Sequence, residues 1–337
     1  MEYVKEDDFF PGNLSPVKQI MTDLKEKKNR KISFLGASVT KGEMVPKGKG
    51  FVSRIMEKWC GRFPLSCQPE IINAGTSGTL SGNAMFSMEE LLAQKPDLVF
   101  LDYSVNDPGD AYLAEAFESL VYRFLKQNCY VVILLFCNQH GHCTRGAMTK
   151  IAHHYDLPLL DIGKIVMKNI QTGCFSWDDY ASDYVHPSLF GHDFIADNIL
   201  RFFEMAEQAQ DGKPYVMPED FCFQGIFCNW KVMEDFEYEK SGYVYEDVFS
   251  TIVVEYFQSP EPSECSFDIY LDGEYIRTIE KFSEFSWNNR VVNFLYGSEK
   301  NSRHRVELRP AANMTFSEQE LKMFDVKLGI GCQPEER

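Results

Sequence analysis

The stretch Lys31-Ile32-Ser33-Phe34-Leu35-Gly36-Ala37-Ser38-Val39-Thr40-Lys41-Gly42 decides how the chain is read. Ile32 to Leu35 is a short apolar run closed by Gly36, the pattern of a buried strand. Ser38 falls in the turn just beyond, and Thr40 and Gly42 keep that turn small and polar. A hydroxyl is thereby set at the carboxyl end of a strand, where open α/β sheets bind their ligands. Taken alone, such a serine is an ordinary loop residue. Its weight comes from further polar blocks that follow in order.

Outward from this turn, apolar runs alternate with helical spacing. Before it, residues 1–30 read as an irregular lead-in and a helix from Pro16 to Lys28. After it come a helix over Phe51–Trp59, a strand over Glu70–Asn73 and a helix over Ala84–Gln94 that ends before Pro96. Asp97–Tyr103 is a strand apolar on both faces, and Ala111–Lys126 is an amphipathic helix with Leu113, Phe117, Leu120 and Phe124 on one side. Strands over Tyr130–Phe136 and Leu157–Asp161, and helices over Arg145–Tyr155 and Phe190–Ala206, complete the series. This alternation predicts an α/β fold with a parallel sheet between helices, and the right-handed crossover rule favours the flavodoxin-like three-layer sandwich.

The pattern changes after Gln210. Asp211–Pro214 reads as a boundary, and from Phe221 onward the period is two. Strands are predicted over Thr251–Phe257, over Ser266–Leu271 and Glu274–Ile279 around the Asp272-Gly273 hairpin turn, and over Phe324–Ile330. Val291–Tyr296 and Arg303–Arg309 read as a further pair. The expectation is two domains: a catalytic one over 1–212 and an all-β sandwich or jelly roll over 213–337.

Composition bounds the partners. The chain has 337 residues, 44% hydrophobic and 25% charged, with a formal net charge of -16 and a pI near 4.9. A field of that sign repels phosphate, which argues against nucleic acid and anionic membrane and leaves neutral substrates such as sugars. The first residues, Met1 to Asp8, lack the basic and apolar regions of a signal peptide. No apolar run reaches the ~18 residues of a membrane span. Ten scattered cysteines without a Cys-x-x-Cys pair fit free thiols in a reducing, cytoplasmic setting. Oligomeric state stays open.

The polar blocks are Ser38, then Gly78 in Asn73-Ala74-Gly75-Thr76-Ser77-Gly78, then Asn106 in Tyr103-Ser104-Val105-Asn106, and far downstream Asp183-Tyr184-Val185-His186-Pro187. The first three follow three predicted strands and so face one rim. Asp and His three apart, ahead of a proline, fit into one turn with the carboxylate near the imidazole. A serine hydroxyl is a weak nucleophile until a base lies within hydrogen-bond reach. Histidine, with an ordinary pKa of about 6.5, suits that task, and a carboxylate fixes its tautomer. A tetrahedral oxyanion needs preset donors, each worth roughly 3 to 4 kcal/mol, and a glycine N–H and an asparagine amide are such donors.

Together the blocks resemble the SGNH hydrolases, also called the GDSL esterase family, across residues 30–205. The family's Gly-Asp-Ser-x-[Ser/Thr] stands here as Gly36-Ala37-Ser38-Val39-Thr40, its Gly-x-Asn-Asp as Ser104-Val105-Asn106-Asp107, and its Asp-x-x-His-Pro as Asp183–Pro187, followed by Gly191-His192. The resemblance implies Ser38 as nucleophile, His186 as base, Asp183 as its orienter, and the Ser38 N–H, Gly78 N–H and Asn106 side chain as oxyanion hole. It implies no cofactor and no metal. Ala37 departs from the family's aspartate, which bears on the rigidity of the turn, and Ser104 departs from its glycine, which bears on the placement of the loop. The chain also looks like bacterial esterases that pair such a domain with a C-terminal sandwich and remove O-acetyl groups from hemicellulose oligosaccharides. Its rivals are a lipase or thioesterase of the same family, and a glycan-binding protein on an inactive hydrolase scaffold.

Other folds fit worse. An α/β-hydrolase needs Gly-x-Ser-x-Gly, and Thr40 occupies the last place. A phosphate loop would need Gly-Lys-[Ser/Thr] at the end of the turn, which is absent. His140 and His142 read as a solvated loop, His153 and His154 as helix surface, and His192 as a cap or packing residue of the last helix. Trp177 either lines a substrate pocket or fills core. Trp230 and Trp287 read as sandwich core, with sugar stacking as the minor reading. Asp178 and Asp179 have poorer spacing to His186 than Asp183, and Asp107 reads as a turn former.

Overall fold

The apolar runs of the first half become five parallel strands: β2 (Lys31–Gly36), β3 (Glu70–Gly75), β4 (Leu98–Asp102), β5 (Tyr130–Leu135) and β6 (Leu159–Asp161), with β1 (Phe9–Phe10) antiparallel on the edge. The computed structural model describes residues 1–5, 9–210, 212–233, 237–239, 242–263, 265–311 and 326–334. Sheet order is β1-β6-β5-β4-β2-β3, so the parallel strands run in the flavodoxin order expected from the sequence. Every residue of β4 and β5 is buried, as a parallel sheet covered on both faces requires.

The helices are α1 (Ser15–Lys25), α2 (Ser38–Lys41), α3 (Phe51–Arg62), α4 (Ser81–Leu92), α5 (Ala111–Lys126), α6 (Arg145–His154), α7 (Ile162–Gln171), α8 (Trp177–Tyr180) and α9 (Leu189–Gln208). α1 and α3 pack along α9, and α5 lies beside α6. An aromatic layer joins sheet and helices. Phe34 stacks on Phe100 at 4.7 Å, and Phe100 meets Phe203 edge-on at 5.7 Å, as does Trp59 at 5.3 Å. Each such pair adds about 0.5–1.5 kcal/mol beyond its burial. The lead-in is more ordered than its sequence suggests. Buried Asn169 and Asn198 accept from the Glu2 and Val4 N–H groups, each at 2.7 Å.

The chain divides into two compact units, Met1–Ala84 with Met88–Cys222, and Met85–Ser87 with Phe223–Arg337. The first reaches past residue 212 because the segment after α9 folds back onto it. The Tyr215 hydroxyl donates to the Tyr155 carbonyl at 3.0 Å, and the Cys222 N–H donates to the buried carboxylate of Glu118.

Beyond Met85–Ser87 of α4, the strands described in the second unit pair antiparallel, in the order β11-β10-β12-β9-β13-β7 with β8 on β9. Its strands are β7 (Lys231–Val232), β8 (Glu237–Glu239), β9 (Gly242–Gln258), β10 (Ser266–Leu271), β11 (Glu274–Glu280), β12 (Asn289–Pro310) and β13 (Lys327–Gly331). The Asp272-Gly273 hairpin forms, pairing Leu271 with Glu274. The expected pair Val291–Tyr296 and Arg303–Arg309 does not. Both segments belong to β12 and pair with β9, and the polar stretch between them is a break in register rather than a hairpin turn. The same break reverses the phase of β9, where Tyr245 and Phe249 face the core and then Ile252, Val254 and Tyr256 do. Bulges of this kind bend and twist a ribbon, here curling it around one core. The closing strand is β13; Phe324 and Asp325, included in the expectation, lie outside the described residues. Trp230 is buried, with Phe227 edge-on at 5.6 Å, whereas Trp287 is 83% exposed and so is not core.

Candidate active site

Ser38 opens α2, a single turn that follows β2 directly. So short a helix has little stability of its own, and its neighbours hold it. The Thr40 carbonyl accepts from the Asn73 side chain at 3.0 Å. Gly42 closes the turn in the left-handed region at φ 87°. Gly75 lets β3 approach, since a Cβ there would sit 2.3 Å from the Lys41 amide nitrogen.

The Ser38 hydroxyl meets His186 Nε2 at 2.9 Å, and His186 Nδ1 meets Asp183 Oδ2 at 2.7 Å. The three sequence-predicted residues therefore form one hydrogen-bonded chain across 148 residues of sequence. The Asp183 turn is tightly defined. Its Oδ1 accepts from the Val185 and His186 N–H groups at 2.8 and 2.7 Å, and the Ser182 N–H donates to the His186 carbonyl at 2.8 Å. Burial works to raise the Asp183 carboxyl, but those N–H groups and the imidazole outweigh it and hold the carboxyl below its ordinary range. Asp179 does not compete for the imidazole, because its carboxylate accepts from the Ser176 N–H and hydroxyl at 2.8 and 2.7 Å.

At Trp177 the structure shows packing. It is buried, and its indole N–H donates to the Asp183 carbonyl at 2.8 Å. Trp177→Phe keeps the ring and removes this donor. It is expected to lower kcat a fewfold, by about the 1 kcal/mol of a neutral hydrogen bond, as a comparison of initial rates will show. The exposed ring near the relay is instead Tyr184, 59% exposed, whose carbonyl is fixed by the Gln139 N–H at 2.9 Å.

Gly78 and Asn106 follow the strands on either side of β2. In register Gly36 lies opposite Gly75 of β3 and Asp102 of β4, so Ser38, Gly78 and Asn106 all leave the carboxyl edge of three adjacent strands. The Gly78 loop is tied to α2's end, where Ser77 donates to Glu43 at 2.6 Å. Lys41 and then Ser77 hold Glu43 below the usual carboxylate range. The Asn106 loop is tied to the next strand by Ser104. Its hydroxyl donates to the Phe136 carbonyl at 3.2 Å and accepts from the Phe136 N–H at 2.8 Å. The serine that departs from the family's glycine thus anchors the loop. Asp107 accepts from the Ser81 N–H at 3.0 Å, at the start of α4, and burial pushes its carboxyl up to about 7.

His192 bridges two helices rather than serving its own alone. From α9 its Nδ1 accepts the Phe51 N–H at the start of α3 at 3.1 Å, and burial draws its pKa down to about 4, so the ring is neutral. His140 and His142 are exposed, in a loop closed on the Asn138 side chain. Among the described residues no group of three metal-ligating side chains gathers, and no helix is long and apolar enough to cross a membrane. No disulfide joins any of the ten cysteines, which all lie among the described residues. Beside α2 a cavity of about 560 Å³ opens, lined by Lys41, Glu43, Lys47, Ser53 and Asn73 among others.

No family model matches the sequence, and no curated protein sequence does. Solved structures do. A two-domain esterase active on acetylated mannans, crystallised with mannopentaose, is 20% identical and aligns over 100% of both chains with a TM-score of 0.82. A second structure of such an esterase aligns over 100% of both chains at 21% identity and 0.79. The acetylxylan esterase Axe2 from Geobacillus stearothermophilus, 21% identical, aligns with 52% of this chain and 94% of its own at 0.42. The end-to-end likeness establishes the fold alone: an α/β domain on a largely parallel sheet, followed by a domain with an antiparallel β sheet.

Proposed function

We propose that this chain is a serine esterase of the SGNH/GDSL family that removes O-acetyl and other short acyl groups from carbohydrates, foremost oligosaccharides derived from hemicellulose. The observation that carries this reading is the unbroken Ser38–His186–Asp183 chain of hydrogen bonds at the carboxyl edge of the sheet. In it, Ser38 Oγ attacks the ester carbonyl as His186 Nε2 takes its proton. The proton then passes to the departing sugar hydroxyl, leaving an acyl-serine. Water, deprotonated by the same nitrogen, releases the acid and regenerates Ser38. Asp183 holds the imidazole in the tautomer that leaves Nε2 free to accept, and stabilises the imidazolium. The Ser38 N–H, the Gly78 N–H and the Asn106 amide serve as oxyanion donors. No cofactor enters these steps.

Asn106→Ala removes one such donor. It is expected to lower kcat by about 10²–10³-fold with little change in KM, measured on one soluble acetyl ester. In this reading the first unit is catalytic and the second is an accessory domain of the carbohydrate-binding-module type. The exposed Trp287 ring of that domain offers a face on which a pyranose can stack. The full-length likeness to an esterase active on acetylated mannans supports a carbohydrate substrate, and the net charge of -16 disfavours polyanionic ones.

The test is acetate release from defined acetylated manno- and xylo-oligosaccharides, with long-chain acyl esters and thioesters in the same panel. Release of acetate from the oligosaccharides is expected. Turnover confined to long-chain esters or thioesters would favour the lipase or thioesterase reading, and glycan binding without turnover the inactive scaffold.

A further inference from the structure

Asp102 takes no part in the steps above, yet it lies at the end of β4, directly opposite Gly36 in register. It is 3% exposed, and Thr40 is 1% exposed. The Thr40 hydroxyl donates to Asp102 Oδ2 at 3.0 Å. The Ser104 backbone N–H favours the charged form of the same carboxyl. One carboxyl thus bonds the turn that carries Ser38, from the last residue of the strand that runs into the loop carrying Asn106. The space is tight: a Cβ on Gly36 would stand 2.5 Å from Thr40 Oγ1 and 2.7 Å from the Asp102 carbonyl oxygen. Ala37, where the resembling family has aspartate, supplies no polar anchor of its own to the turn.

We propose that Asp102 is a positioning residue for the esterase reaction, whose carboxyl, through Thr40 on one side and Ser104 on the other, holds the nucleophile's turn and the oxyanion loop in mutual register. This rests on the esterase reading of Ser38 and Asn106. As an anion the carboxyl accepts from Thr40 and is favoured by the Ser104 N–H; once protonated, it gives up one acceptor site to its own hydrogen. Burial pushes Asp102 up to about 7, against the pull of Thr40 and Ser104. The other titratable groups whose charge it feels or disturbs are Asp107, Tyr103 and Tyr180, the last two kept neutral by their own burial. The brace is therefore fully formed above about pH 7 and weakens as pH falls through that value.

The experiment is the pH dependence of kcat on a soluble acetyl ester for the wild type, Asp102→Asn, Thr40→Val and Thr40→Ser. In the wild type, protonation of Asp102 should lower kcat by about tenfold as pH falls through about 7, seen as a partial step in log kcat. Asp102→Asn carries one acceptor and no ionisation. It should lower kcat at alkaline pH by about tenfold, leave KM within about twofold, and remove the step near pH 7. Thr40→Val should lower kcat similarly, and Thr40→Ser should restore it. An Asp102→Asn profile of wild-type shape, or equal kcat in Thr40→Val and Thr40→Ser, would overturn the proposal. If Asp102→Asn does not fold, the Thr40 pair alone decides. Labelling by an alkyl phosphonate separates this failure from failure of the esterase reading. Slower labelling of Ser38 in Thr40→Val supports the brace, an unchanged rate overturns it, and no label on wild-type Ser38 would sink the nucleophile assignment itself.

Discussion

Ser38→Ala is expected to lower kcat for acetyl-ester hydrolysis by about a million-fold, to what binding and oxyanion donors supply without a nucleophile. The size follows from the arrangement. Ser38 is the only hydroxyl that His186 Nε2 is shown to meet, at 2.9 Å, and that nitrogen has no other partner among the bonds of the described residues. Thr40, two residues on, is committed to Asp102 and does not substitute for it. The measurement is acetate release over hours, with mass spectrometry of the phosphonate-treated wild type to locate the modified residue. Turnover that survives the substitution would place the chemistry elsewhere. The variant is expected to keep the fold, because among the described residues the serine side chain bonds only His186.

Asp183→Asn is expected to cost about 10⁴-fold in kcat, and the structure gives a specific reason. Two backbone N–H groups, those of Val185 and His186, point at Asp183 Oδ1. In the variant they select the amide oxygen for that side, which turns the amide N–H₂ toward His186 Nδ1. The imidazole must then accept at Nδ1 and carry its proton on Nε2, the tautomer that cannot take a proton from Ser38. KM on the same ester should change little. A loss of less than about tenfold would mean that Asp183 does not set the tautomer. In the native protein the carboxyl is held below its ordinary range, so it stays ionised on mild acidification, and its protonation is not what ends activity there.

The candidate reactive residues are legible because each sits in a local pattern that survives without knowledge of the fold. Ser38 follows an apolar run and a glycine, and Asp183 and His186 are close enough to share a turn. Their order along strand ends also revealed the sheet. What supports them was not legible. Thr40 with Asp102, and Thr40 with Asn73, are pairs that exist only once β2 is set between β3 and β4 in a known register. Ser104 read as a departure from a motif, and its two bonds to Phe136 needed the position of β5. In the β domain, the polar stretch from Gly297 to Ser302 resembles a turn, because composition does not distinguish a reversal of direction from a bulge in a continuing strand. Trp287 shares its hydrophobicity with core residues; only its place in the loop between β11 and β12 shows that it faces water.

The fold-back of the chain after α9 matters for anyone who would separate the halves. Glu118, 1% exposed, holds the Tyr155 hydroxyl at 2.9 Å and the Cys222 amide. A gene shortened to end soon after Ala209 would strip the latter donor from an interior carboxylate and uncover Tyr155, so such a fragment would lose solubility for reasons unrelated to the missing sheet. Ending it at Cys222 keeps those bonds and makes assays on the isolated α/β unit interpretable.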